Sequence, residues 1–136
     1  MIMKRLMSAL LVVLVLLSFN SIFAQEAKKI DWQAYSTNLV EAIKSSNEGL
    51  KLSAMQQVIR SSDSLDVAVA RYVVMDMFMS HKNQKVRQLA LATLIKIDNP
   101  LDIGLLELHL KWEKNDDLKK MIKNMLIEKG RLKKKE

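Results

Sequence analysis

Residues 83–103, NQKVRQLALATLIKIDNPLDI, decide the fold. Within them Val86, Leu89, Ala90, Thr93, Leu94 and Ile97 recur at three- and four-residue steps, which puts all six on one face of a helix. Asn83 precedes this stripe as a cap, and Pro100, whose missing N–H costs nothing in a first turn, opens the next helix. The same unit stands 36 residues earlier, in NEGLKLSAMQQVIRSSDSLDV at 47–67. There Leu50, Lys51, Ala54, Met55, Val58 and Ile59 match Val86, Arg87, Ala90, Leu91, Leu94 and Ile95. Across the turn, Asp63, Leu65, Asp66 and Val67 match Asn99, Leu101, Asp102 and Ile103. A partial third copy follows at an offset of 32, with Leu118, Lys119, Met121, Ile122, Leu126 and Ile127 in the same positions. A period in the thirties with helical spacing inside each unit indicates a stack of helical repeats.

Outward from this stretch, capping residues divide the chain into six expected helices. Asp31 opens the first, with Trp32, Tyr35, Leu39 and Ile43 on one face. Asn47 caps the second, to about Ser61, and Ser64 caps a third from Leu65 to about Ser80. Asn83 and Pro100 open the fourth and fifth. Asn115 caps the sixth, whose start favours Asp116 and Asp117 through its positive dipole end, and Gly130 ends it. Leu106-Glu107-Leu108-His109-Leu110-Lys111-Trp112 alternates as a half-buried strand would. The repeat register and the lack of a second strand to pair with it assign it to the fifth helix. Ile103, Leu106 and Leu110 then line one face, with Leu101, Leu105, Leu108 and Trp112 beside it, so two buried faces are expected. The third helix, interrupted only by Asp66, Arg71 and Asp76, is expected to be the most buried element.

The fourth helix, with Val86-Arg87, Ala90-Leu91, Leu94 and Ile97 after a polar cap, resembles the first helix of a HEAT repeat, an armadillo-type unit. The resemblance covers roughly residues 47–130 as two repeats and a half. It departs at Ser53 and Gln57, where the motif has apolar residues, and at Ile122 in place of the small alanine. It implies an all-α, short right-handed stack of six helices, the outer two acting as caps. It also implies a scaffold or a protein- or peptide-binding surface. A few members of this class bind nucleic acid, and the class shares no catalytic residues, so none is assigned here.

The chain starts with Lys4 and Arg5, an apolar run from Leu6 to Leu17 broken only by Ser8, and Ala24 before Gln25. That pattern reads as a cleavable signal peptide, residues 1–24, because the run is shorter than the roughly 20 residues a spanning helix needs. The expected product is exported, periplasmic or secreted, without a transmembrane anchor. It comprises a helical-repeat domain at 25–130 and a basic disordered tail at 131–136. The sequence has no Cys, which excludes disulfides, thiolate chemistry and a lipid-anchored lipoprotein.

Charge is unevenly placed. Residues 25–110 carry ten Lys and Arg against ten Asp and Glu, whereas residues 111–136 carry ten against five. The excess positive charge therefore sits in the last helix and tail: Lys119, Lys120, Lys123, Lys129, Arg131, Lys133, Lys134 and Lys135. An anionic envelope surface, lipid or polysaccharide, is the partner this end would suit, and a solvated face with a solubilising tail is the plainer reading. Export argues against nucleic acid.

Few residues invite chemistry. His81 is expected to complement carbonyls at the end of the third helix, and His109 to form a solvated pair with Glu113 four residues on. Met75 and Met79 share a helical face while Met77 points away, so the three are core filler and not a Cu(I) site. No metal site, cofactor or catalytic set is expected. The leading expectation is a non-enzymatic binding module for a protein or peptide. Arg71, Asp76, Glu107 and Lys111 are candidates for polar partner contacts, because the inner helices carry few other polar groups. The alternative is an envelope-associated protein that docks through the Lys-rich end.

Overall fold

Polar caps set where the helices begin. The computed structural model describes residues 30–61 and 65–133, and among these the chain forms six α-helices and no strand. They are α1 (Trp32–Lys44), α2 (Glu48–Arg60), α3 (Arg71–Ser80), α4 (Gln84–Ile97), α5 (Pro100–His109) and α6 (Asp116–Glu128). Asp31, Asn47, Asn83, Asn99 and Asn115 each accept a backbone N–H of the first turn at 2.9–3.0 Å, which pairs a donor the helix itself cannot satisfy. The expected signal peptide, Ser64, Lys134 and Lys135 lie outside the described residues.

The unit from Asp31 onward is built from neighbouring helix pairs. α1 packs on α2, α3 on α4 and α5 on α6. α4 lies between α2 and α6, and α1 touches α3. A 2.6 Å ion pair from Arg71 to Asp102 ties α5 to α3. The result is two layers, with α1, α3 and α5 on one side and α2, α4 and α6 on the other. Between them lie Ile43, Met55, Val74, Phe78, Leu91, Leu94, Leu106, Leu118, Ile122 and Leu126, all buried. Burial of each such side chain contributes roughly 1.5–3 kcal/mol. Ala90, fully buried, lets the backbones around α4 approach closely.

Three expectations change. The third helix starts at Arg71, not Leu65, after a 3₁₀ turn at Ala68–Ala70. Ala70 provides no side-chain cap, so α3 grows directly out of that turn. Nor is α3 the most buried element, since Val69, Tyr72, Asp76 and Met79 around it are exposed. α5 buries one face and not two: Asp102, Ile103 and Leu106 are covered, whereas Leu101, Leu105, Leu108 and Trp112 are exposed. The reason is positional. Among the described residues no helix covers the outer side of α5.

The basic tail is also ordered at its start. Gly130 takes a left-handed φ of 68°, and the Arg131 and Leu132 N–H groups both donate to the Leu126 carbonyl, at 2.8 and 3.2 Å. The chain thus turns back on α6, with Arg131 and Leu132 bonded to its last turn.

Candidate functional site

The outer side of α5 and the start of α3 enclose a groove of about 630 Å³. Its floor and walls are Tyr72, Pro100, Leu101, Gly104, Leu105 and Leu108. Tyr72 is 67% exposed, Leu101 67%, Leu105 46% and Leu108 61%. Single exposed leucines are ordinary, but a contiguous apolar strip of this kind is not. Leu101, Leu105 and Leu108 share a helix face because they stand four and three residues apart. Gly104 lies among them, and a Cβ placed on it would meet no atom within 4 Å. The glycine is helical and fills no tight internal contact, although Gly is about 1 kcal/mol worse than Ala in such a position.

Charged side chains frame the groove. Arg71, nearly buried, donates from Nη1 to Asp102 Oδ1 at 2.6 Å and from Nη2 to the Tyr72 hydroxyl at 2.6 Å. Its guanidinium also lies 4.1 Å from the Tyr72 ring centroid, so charge and packing hold the ring in place. Asp102 is buried, and its Oδ2 has no hydrogen-bond partner among the described residues. On the other rim Glu107 pairs with Arg131 at 2.9 Å, through the reversal at Gly130. The groove can therefore hold an apolar ridge between fixed polar edges, with Tyr and Arg at its wall, the residue types that anchor interfaces.

The sequence candidates divide. Arg71 and Glu107 both line this groove. Asp76 does not; it is exposed on α3, with the Ser80 hydroxyl 3.5 Å from its carboxylate. Lys111 is exposed beyond the end of α5 and lines no part of the groove. Tyr72, Leu101, Gly104, Leu105 and Leu108 were not singled out, because the apolar leucines read as core. No local signal separates them from core leucines, since their spacing is the same.

The basic residues also divide. Lys119, Lys120, Lys123 and Lys133 line a separate cleft of about 550 Å³. Lys129 instead pairs with Asp98 at 2.5 Å, and Arg131 belongs to the groove rim.

His109 and Glu113 correct the expected solvated pair. Glu113 is only 4% exposed. Its carboxylate receives two Arg87 N–H groups at 2.5 and 3.4 Å, the Asn115 N–H at 3.0 Å and a contact from His109 Nε2 at 2.9 Å. Burial pushes the Glu113 carboxyl up, but the Asn115 N–H, Arg87 and His109 outweigh it and hold it down at about 2. Arg87 further donates to the Phe78 carbonyl at 2.7 Å, so the cluster fastens α3, α4 and the turn before α6 together. His81 accepts the Asn83 N–H at Nδ1, 3.0 Å, and its Nε2 lies 3.4 Å from Glu48. No group of three metal-ligating side chains occurs among the described residues.

No known protein family, curated protein or solved structure matches this chain.

Proposed function

We propose that this protein is an exported, non-enzymatic binding module of HEAT-repeat type that seats an amphipathic helix of another protein beside α5. The observation that carries the reading is the exposed Leu101, Leu105 and Leu108 strip around the open Gly104. Its spacing is that of a helix-packing seam, and a helix with apolar residues at the same steps is its natural complement. A glycine in the seam lets the partner's backbone approach closely. The fixed Arg71–Tyr72 wall and the Glu107–Arg131 rim provide polar edges that fix register. Export rests on Lys4, Arg5, the apolar run from Leu6 and the small residue Ala24.

The test is in-cell photocrosslinking from position 105, with Gln56 on the other layer as the control position. A heteromeric adduct from position 105 alone, whose crosslinked segment has helical apolar spacing, is the expected result. Equal adducts from both positions, or none from position 105, would overturn the reading. An adduct of twice the chain mass would replace it with self-association.

A further inference from the structure

The lysine cleft is a second surface, and it shares no lining residue with the groove beside α5. Lys119, Lys120 and Lys123 stand on one face of α6, and Lys133 faces them from the chain that returns after Gly130. None of the four is in an ion pair among the described residues, unlike the neighbouring Lys129 and Arg131. Among the described residues Asp116 is the one carboxylate lining the cleft. Between the ammonium groups lie three apolar side chains, Leu110, Ile127 and Leu132, and the amide of Asn124. The cleft is built by the fold and does not arise from tail composition alone. Leu132 reaches it only because its N–H is bound to the Leu126 carbonyl and its neighbour Arg131 is anchored on Glu107.

We propose that this cleft docks the protein on a membrane surface by taking the phosphate-bearing headgroup of an anionic phospholipid. The lysine ammonium groups meet the phosphate, and Leu110, Ile127 and Leu132 meet the first carbons of the acyl chains. The three apolar side chains select among anions. A polysaccharide offers a run of hydroxyls, for which the space between the lysines holds the single amide of Asn124 against Leu110, Ile127 and Leu132. A single-stranded nucleic acid asks for aromatic platforms, and the described lining has none. An amphiphile matches both parts, since long lysine side chains cover apolar surface while their charges stay at the water boundary.

The test uses the exported chain, residues 25–136, which contains the whole unit from Asp31 onward. Its co-sedimentation is measured with vesicles of phosphatidylglycerol mixed into phosphatidylcholine, and with pure phosphatidylcholine, across a salt series. Binding to the anionic vesicles alone is expected. K119Q/K123Q should weaken it by about 25-fold, from roughly five-fold per lysine at a membrane surface. L132S, which keeps every charge, should weaken it several-fold and make the remainder more salt-sensitive. Control substitutions K111Q/K114Q, outside the cleft, should have a much smaller effect. Equal losses from the cleft and control pairs, no effect of L132S, or equal binding to a soluble anionic polysaccharide would each overturn the proposal. Because the groove beside α5 is untouched by these substitutions, crosslinking from position 105 should persist in K119Q/K123Q.

Discussion

Arg87, near the start of α4, grips Glu113, 26 residues further along the chain, with N–H···O contacts of 2.5 and 3.4 Å. Neither residue is on the surface that is proposed to bind a partner. Their effect on that surface is indirect, since Glu113 sits in the turn after α5 and also accepts the Asn115 N–H that opens α6. The groove and the lysine cleft lie on either side of this junction.

Acid should loosen that junction. The carboxyl of Glu113 is held at about 2, below its ordinary 4.5, so the unfolded chain takes up the proton first as pH falls. The stabilisation is complete above pH 4.5 and disappears as pH approaches 2, a loss on the order of 3 kcal/mol. Urea denaturation at pH 7, 4 and 2.5 should show this loss in the parent chain. Glu113→Gln should be less stable at pH 7 and should lose less on acidification. An unchanged pH dependence in Glu113→Gln would remove Glu113 as its source.

The Arg71–Asp102 pair calls for a double-mutant cycle. Arg71→Met leaves the buried Asp102 carboxylate with neither oxygen paired by a side chain, and should cost about 3–5 kcal/mol. Arg71→Met with Asp102→Leu removes the stranded charge and should recover most of that loss. If the double variant is as unstable as the single one, the pair acts through packing and not through charge.

Groove substitutions should separate binding from stability. Leu105→Asp and Leu108→Ser change exposed side chains and should shift folding free energy by no more than about 0.5 kcal/mol. Gly104→Ala meets open space and should raise stability by about 0.5–1 kcal/mol. Gly104→Arg should fold and abolish the crosslink from position 105. Thermal melts on all four variants, and crosslinking from position 105 in the three that leave that position open to the photocrosslinker, make the comparison. A large destabilisation by Leu105→Asp would mean that the strip belongs to the core.

Asp98 ends α4 in a left-handed conformation, φ 56°, and bonds its N–H to the Leu94 carbonyl. That conformation is tolerated by Asp and Asn and poorly by branched residues. Asp98→Val should therefore cost about 1–2 kcal/mol, whereas Asp98→Asn, which loses only an exposed ion pair with Lys129, should cost under about 1 kcal/mol. Equal costs would place the weight on the ion pair.

Local signals made the helices legible before any tertiary contact was known. Asn47, Asn83, Asn99 and Asn115 sit directly before periodic apolar runs, and a cap acts within its own first turn, so neighbours in the chain suffice to read it. The buried stripes of α4 and α6 follow from their spacing for the same reason. Of the alternating stretch 106–112, expected to be helix, residues 106–109 belong to α5 and 110–112 form the turn after it. α3 was less legible, because the 3₁₀ turn at Ala68–Ala70 replaces its first turns and no capping side chain marks the change.

Which apolar faces are covered depends on how the helices pack. Leu101, Leu105 and Leu108 have the same composition and spacing as core residues; what differs is that none of the described helices packs on their side of α5. The same holds for charge. Glu113 is buried because Arg87 and Asn115 converge on it, and Lys129 and Arg131 are engaged because folding brings Asp98 and Glu107 to them. Helix formation depends on residues a few positions apart, which the chain presents before it folds. The pairs Arg71–Asp102, Arg87–Glu113, Asp98–Lys129 and Glu107–Arg131 join residues 24 to 31 positions apart, and these distances are closed only by folding.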